Sequence, residues 1–162
     1  MKELKTKEDS VVLTKDQEKA LELFCEWIKP PYSFKPFVMK GFAGSGKTYL
    51  SMKFLKKVDE LGFCWTVVAP THKAVGVLRE GLRRESIQPT WFPSTIHRLL
   101  RLKLKRQADE ETCEKTDQTQ SSLENLGLVL IDEASMIDSK LLEITLECAR
   151  FNSTRLVFVG DP

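Results

Sequence analysis

The sequence predicts an α/β domain built on a parallel sheet, because short apolar segments of strand length alternate with longer amphipathic segments of helix length. Around Gly44, a short strand, a glycine-rich turn and a helix are expected to follow one another along the chain. The continuous apolar run Leu126-Gly127-Leu128-Val129-Leu130-Ile131 is typical of a strand covered on both faces. At 162 residues the chain is expected to form one domain, covering residues 1–162, that is large enough to bury a sizeable core.

The first helix is expected to begin at Thr14, because Thr14-Lys15-Asp16-Gln17 has the pattern of a capping box. It should run to about Lys29, before Pro30-Pro31 ends it. Hydrophobic spacing, glycine and proline place the other elements. We expect strands at 37–39, 65–69, 126–131 and 156–159, and helices at about 47–58, 73–84, 95–100 and 139–149.

Residues 101–122 interrupt this alternation of strands and helices. Leu102-Lys103-Leu104-Lys105 alternates like a half-buried strand, whereas residues 106–122 are polar and contain no aromatic side chain. The segment is predicted to be either a small, exposed, inserted hairpin or a flexible insertion.

The net charge of +2 conceals an uneven distribution of charge along the chain. Nine basic residues and two acidic ones lie between Lys73 and Arg106, whereas residues 107–162 carry twelve acidic and four basic residues. A basic middle is the pattern expected for a partner with a phosphate backbone. The alternative is a solvated helix face.

The cysteines and the apolar content indicate a reduced, cytoplasmic protein that does not contact a membrane. The four cysteines are scattered, without a C-x-x-C pair or the spacing of zinc ligands. The N-terminus lacks the apolar core of a signal peptide, and no apolar run approaches the ~20 residues that span a bilayer.

A phosphate-binding loop is the strongest motif, since residues 41–48 fit G-x-x-x-x-G-K-[ST] at every fixed position. Glycines let successive backbone N–H groups point at a phosphate chain, and the following helix directs its positive end there. Lys47 is expected to reach the β- and γ-phosphates, and the Thr48 hydroxyl to bind Mg²⁺. The predicted ATP-binding segment is Gly41, Phe42, Ala43, Gly44, Ser45, Gly46, Lys47, Thr48 and Tyr49.

An acidic pair, Asp132-Glu133, follows the apolar run at the carboxyl end of its strand, where ligands of open α/β sheets bind. Asp132 is expected to hold Mg²⁺ through water, opposite Thr48. Glu133 is expected to orient and deprotonate the water that attacks the γ-phosphate. Lys47, Asp132 and Glu133 are therefore the candidate catalytic residues.

Five stretches in this order resemble the superfamily 1 DNA helicases of the RecD and phage Dda type. They are residues 41–48, Ala69-Pro70-Thr71-His72-Lys73-Ala74, Ser94-Thr95-Ile96-His97, Asp132-Glu133-Ala134-Ser135-Met136 and Gly160-Asp161-Pro162. The resemblance implies the first RecA-like motor domain of an ATP-driven helicase that moves toward the 3′ end of single-stranded DNA. It also implies that strand 156–159 separates the phosphate-loop strand from the Asp132 strand.

The same resemblance implies roles for individual residues. Gln17 matches an adenine-reading glutamine, although the capping box competes for the same amide. The implied DNA-contacting residues are Pro70, Thr71, His72, Lys73, Thr95 and His97. A buried structural role is the alternative for His97. Residues 101–122 stand where such helicases insert a strand-separating hairpin.

The chain ends inside the third motif of the resembled family, which predicts a longer parent protein with a second RecA-like domain. The fragment alone is therefore expected to hydrolyse ATP poorly. Two other functions remain open at this point: another P-loop class, such as a nucleotide kinase or a non-unwinding ATPase, and a catalytically silent DNA-binding module.

Overall fold

A five-stranded parallel sheet forms the centre of the protein, in a computed structural model that describes residues 13–41 and 46–161. In spatial order the strands are β1 (Phe37–Lys40), β7 (Arg155–Gly160), β6 (Leu128–Ile131), β2 (Trp65–Ala69) and β3 (Ser94–Thr95). All four neighbouring pairs are parallel. The predicted α/β class is confirmed, and β7 lies between the phosphate-loop strand and the Asp132 strand as expected.

Helices cover both faces of the sheet. They are α1 (Lys15–Trp27), α2 (Lys47–Glu60), α3 (His72–Arg84), α4 (Ile96–Leu99) and α5 (Ser139–Phe151). One core cluster joins α1, α2 and α3 to side chains such as Val67 and Leu130, and the other joins α4 and α5 to side chains such as Val68 and Ile131. Successive strand residues enter opposite clusters because side chains alternate across a pleated strand. This two-sided burial accounts for the continuous apolar runs.

Three predicted boundaries differ from the structure. Helix α1 ends at Trp27, two residues early, because Ile28 already serves as its C-cap before the prolines. Strand β6 starts at Leu128, because the Gly127 amide bonds to the Cys64 carbonyl outside the ladder. Strand β3 lay inside the predicted loop and helix start. Two residues are too few to show a period, and only pairing with β2 defines this strand.

Residues 101–122 divide into two parts with different surroundings. The first is an antiparallel hairpin of β4 (Lys103–Gln107) and β5 (Glu110–Glu114), whose first strand is exposed throughout. After it, Thr119, Ser122 and Leu123 are buried beside α5. The predicted exposed hairpin is confirmed for the first part, whereas the second part is not an exposed or flexible insertion. Its polar side chains bond to backbone carbonyls, and polar groups satisfied in this way can be buried.

No helix in the described part of the chain is long and apolar enough to cross a membrane.

Candidate functional site

The carboxyl ends of four parallel strands bring the sequence motifs to one edge of the sheet. Gly41 follows β1 and donates its amide to the Gly160 carbonyl at the end of β7, over 3.1 Å. Asp132 follows β6 and donates its amide to the Val68 carbonyl of β2, over 2.9 Å. Parallel strands end on the same side, so motifs distant in sequence become neighbours.

The phosphate loop joins helix α2 at Gly46, which has a left-handed backbone with φ of 82°. A residue with a side chain is strained in this conformation, which explains the glycine. Among the residues that the structure describes, no side chain caps the amides of the first turn of α2, and that turn contains no acidic residue. Such amides attract an anion. The predicted contacts of Phe42, Ala43, Gly44 and Ser45 lie outside the described residues.

Lys47 reaches across the edge to the end of β7, where its ammonium group forms an ion pair with the Asp161 carboxylate. The lysine side chain is 20% exposed and the aspartate 58%. The sequence assigned Lys47 to the phosphates but did not predict this partner. The signal in the sequence is the position of Asp161, directly after the strand that lies next to the phosphate-loop strand.

Asp132 and Glu133 occupy the tight turn that follows β6. Burial raises the pKa of the Asp132 carboxyl, and Asp161 raises it further, while the hydrogen bond from the Glu133 amide and the charge of Lys47 lower it. The Glu133 amide donates to Asp132 Oδ1 over 2.9 Å. Glu133 itself has a left-handed backbone, with φ of 51°, and an exposed side chain. The turn thus directs one carboxylate inward and the other toward solvent.

Gly160 allows that turn to lie against strand β7. A Cβ at this position would come within 3.2 Å of the Ser135 amide nitrogen and 3.3 Å of the Ala134 amide nitrogen. Ala134–Met136 forms a 3-10 turn directly after Glu133. The position of the acidic pair relative to Asp161 therefore depends on close backbone packing, which the motif letters alone do not show.

Thr48 and Tyr49 border a cleft of about 500 Å³ between the start of α2 and the end of α3. Thr48 is exposed, and the Tyr49 ring lies 5.2 Å from Lys53 Nζ. Met52 of α2 also lines the cleft, and α3 with its C-cap contributes three residues that the sequence did not mark: Gly81, Arg84 and Glu85. Nothing in the local motif marks them, because α3 approaches α2 only in the folded chain.

Gln17 takes part in the capping box that begins α1. Its backbone amide donates to Thr14 Oγ1 over 3.2 Å, and its Oε1 accepts from the Thr14 amide over 3.0 Å. The other end of the amide group, Nε2, faces the phosphate loop, because a Cβ built on Gly46 would lie 2.6 Å from it. Gln17 therefore links the start of α1 to Gly46 at the end of the phosphate loop.

Four of the six candidate DNA-contacting residues line one cleft of about 370 Å³. Pro70, His72, Thr95 and His97 form one side, the hairpin supplies Leu104, Glu111, Thr112 and Cys113, and Asp138 and Lys140 complete the lining. We call it the His72 cleft. The sequence analysis missed the last six of these residues, because they come from elements that converge only through the fold.

The two threonines among the candidates act as helix caps. Thr71 Oγ1 accepts from the Ala74 amide at the start of α3, and Thr95 Oγ1 accepts from the Arg98 amide at the start of α4. Thr95 is only 9% exposed, and His97 is half-buried at the cleft wall. Lys73 is exposed but does not line the cleft. Both caps hold a histidine-bearing turn in place beside the cleft.

Comparisons with known proteins agree with this geometry. A protein of Acanthamoeba polyphaga mimivirus, named uncharacterized protein R530, is 33% identical over 140 residues, which are 79% of this chain and 28% of that protein. A structure of Pif1 helicases unwinding forked double-stranded DNA matches with a TM-score of 0.59 and 23% identity, over 93% of this chain and 34% of that one.

Bacteroides sp. Pif1 in complex with ADP-AlF4 matches with a TM-score of 0.61 and 23% identity, over 93% of this chain and 32% of that one. The chain thus spans about a third of the length of these relatives. The structural matches show the fold alone, and they confirm the predicted P-loop architecture with a parallel sheet flanked by helices. A family model described as an AAA domain matches residues 26–162. This chain is therefore a member of that AAA domain family.

Proposed function

We propose that the chain is the ATP-binding motor domain of a DNA helicase, which couples ATP hydrolysis to movement along single-stranded DNA and to unwinding. One observation carries the proposal: the hydrogen bond from the Asp132 amide to Val68 joins the acidic pair to the strand that leads into the His72 cleft. Nucleotide chemistry and the candidate DNA contacts thus lie on adjacent strands of one rigid sheet. The fold shared with Pif1 helicases supports the proposal.

In this proposal Lys47 exchanges its partner when nucleotide binds. The β- and γ-phosphates replace the Asp161 carboxylate at the ammonium group, and the uncapped amides of α2 contact the same phosphates. Asp132 and Thr48 supply oxygen ligands of the kind that Mg²⁺ prefers, so the donor set fits this ion. Bound Mg²⁺ would neutralise phosphate charge during transfer.

Glu133 is the proposed base for hydrolysis, because its carboxylate is exposed at the edge where the γ-phosphate would lie. It removes a proton from water as the water oxygen bonds to the γ-phosphorus. The bond from that phosphorus to the β,γ-bridging oxygen breaks, and ADP and inorganic phosphate leave.

Gln17 is proposed to contact adenine through Nε2, which faces the phosphate loop. A carboxamide that both donates to N7 and accepts from N6 would have to withdraw Oε1 from the Thr14 amide. We therefore propose that adenine recognition and the helix cap compete for one oxygen atom.

Single-stranded DNA is proposed to bind the His72 cleft through its phosphates and through stacking on a histidine. Thr71, Thr95 and Pro70 hold the protein backbone in place beside the cleft. The side chains of His72, Lys73 and His97 are proposed to contact the DNA. The complete motor is proposed to require a second RecA-like domain in a longer parent, where bound DNA would stimulate ATP turnover because the moving domains couple the two sites.

The test measures fluorescence anisotropy of a labelled oligothymidylate against salt concentration. Wild type is compared with His72→Ala plus Lys73→Ala, and with Lys19→Ala as a control on the exposed surface of α1. We expect salt-sensitive binding that the double variant weakens by about 1–3 kcal/mol and that the control leaves unchanged. If binding does not depend on salt and the double variant binds as tightly as wild type, the helicase proposal fails. The remaining functions would then be a non-unwinding P-loop ATPase or a nucleotide kinase. DNA binding without Mg²⁺-dependent nucleotide binding would indicate a silent DNA-binding module.

A further inference from the structure

A second groove, of about 590 Å³, continues from the His72 cleft along α3 and α4. His72 and Thr95 line both cavities, so the two share a wall. The new part is formed by Arg79, Trp91, Phe92, Arg98 and Arg101, and we call it the arginine–aromatic groove. A chain that leaves the His72 cleft on this side enters the groove directly.

The groove carries three guanidinium groups and no carboxylate among the described residues that line it. Arg79 donates to the Pro93 carbonyl over 3.0 Å, and Arg101 lies 3.5 Å from the Gln118 amide oxygen. Within the described chain none of the three arginines forms an ion pair with an acidic side chain. Their charges are therefore available to an anionic partner, and arginine is well suited to phosphate.

Two aromatic rings flank these charges. The Phe92 side chain is 90% exposed and Trp91 38%, an arrangement that leaves an apolar face in water. Their loop is held on the sheet, because the Thr66 hydroxyl donates to the Trp91 carbonyl over 2.8 Å and Thr90 bonds to the Trp65 backbone. Arg79 fixes the next residue through the Pro93 carbonyl. The rings are thus presented on a supported loop, which limits the entropy lost when a flat group stacks on them.

We propose that the arginine–aromatic groove is a second binding site for single-stranded nucleic acid, which extends the bound strand beyond the His72 cleft. The proposal rests on the proposed function, since it continues the same strand. Phosphates would contact Arg98 and Arg101, and a base would stack on Phe92. An acidic peptide would satisfy the arginines, but it has no planar group matched to an exposed phenylalanine ring.

The test compares oligothymidylates of roughly 5 and roughly 15 nucleotides, lengths within the range that single-strand sites cover. Phe92→Ala removes the ring, Phe92→Trp keeps a stacking surface, and Phe151→Ala is the control at an exposed phenylalanine of α5. We expect Phe92→Ala to weaken binding of the long strand at least about fivefold, with little effect on the short one. Phe92→Trp and the control should retain wild-type affinity.

The charges are tested separately through the salt dependence of long-strand binding. Arg98→Gln plus Arg101→Gln should make the slope of log K against log salt shallower by about 1.4, which corresponds to two lost phosphate contacts. Arg83→Gln plus Arg150→Gln removes the same number of exposed arginines outside the groove and should leave the slope unchanged.

The outcomes separate this site from the DNA-binding proposal itself. If wild type binds both oligonucleotides but neither groove variant changes affinity or slope, the groove is not a strand site and the His72 cleft alone binds DNA. If polyglutamate of equal charge competes as well as the long oligonucleotide, and Phe92→Ala does not alter this, the groove is an acidic-peptide site. If wild type binds no oligonucleotide at all, the DNA-binding proposal fails together with its extension.

Discussion

The ammonium group of Lys47 and the carboxylate of Asp161 form an ion pair, although 114 positions separate them in the chain. Lys47 begins helix α2, and Asp161 follows the last strand. The pair therefore ties the phosphate loop to the third motif across the sheet edge. In the proposed nucleotide complex, the phosphates would replace the Asp161 carboxylate at the Lys47 ammonium group.

Replacing Lys47 with alanine should weaken ATP binding by about 1.5–3 kcal/mol, because the charge-assisted contacts to the phosphates are lost. Replacing Asp161 with asparagine should instead strengthen ATP binding. It removes the competing carboxylate, and a half-exposed pair of this kind contributes about 0–1 kcal/mol. Titration of a fluorescent ATP analogue with Mg²⁺ measures both effects. Equal affinity for Lys47→Ala and wild type would remove Lys47 from the phosphate site.

Asp132→Asn should stabilise the nucleotide-free protein at neutral pH. Burial raises the pKa of Asp132 in the folded state, so its ionised form opposes folding above that pKa. Below about pH 4, the Asp132 carboxyl is protonated in both the folded and the unfolded state, so its ionisation no longer destabilises the fold. Asparagine keeps an oxygen that can accept from the Glu133 amide. We expect a gain of about 0.5–2 kcal/mol near pH 7 that shrinks toward acid.

Thermal unfolding of wild type and Asp132→Asn between about pH 4 and pH 7, without Mg²⁺, measures the difference in stability between the two proteins. Asp117→Asn, at an exposed aspartate, is the control and should show no comparable gain. A difference between Asp132→Asn and wild type that stays constant with pH would show that ionisation of Asp132 is not its cause.

Glu133→Gln should separate nucleotide binding from hydrolysis. Glutamine preserves the size of the side chain but cannot accept the proton from the attacking water, so turnover should fall about 10²–10⁴-fold. Affinity for the ATP analogue should stay near that of wild type. Phosphate release by the longer parent protein in the presence of single-stranded DNA tests the loss of turnover, and the binding titration tests the retained affinity. Turnover equal to that of wild type would assign the proton transfer to another group.

Gln17 and Thr14 allow the cap and the nucleotide contact to be distinguished. Thr14→Ala removes the hydroxyl acceptor of the capping box and should cost about 1 kcal/mol of stability with nucleotide affinity retained. Gln17→Glu keeps an acceptor for the Thr14 amide but removes the Nε2 donor that faces Gly46. We expect this variant to fold normally and to lose preference for ATP over GTP. An unchanged preference would leave Gln17 with the cap alone.

The sequence by itself determined the parts of the protein that depend on local chemistry. Residue types that permit a phosphate turn, such as Gly46 before Lys47, specify their own backbone geometry. Continuous apolar runs identified the buried strands, since a strand covered on both faces has no polar side. The boundaries of α2, α3 and α5 followed from hydrophobic spacing to within about two residues.

Only the tertiary structure decided which distant groups meet. Partners such as Lys47 and Asp161, or Gln17 and Gly46, belong to different elements, and no local pattern records the distance between them. The burial of Thr119 depends on acceptors that other segments supply, so its polarity alone suggested the wrong environment. The two-residue strand β3 is likewise defined only by its pairing with β2. The wall shared by the His72 cleft and the arginine–aromatic groove forms where parallel strands end at one edge of the sheet.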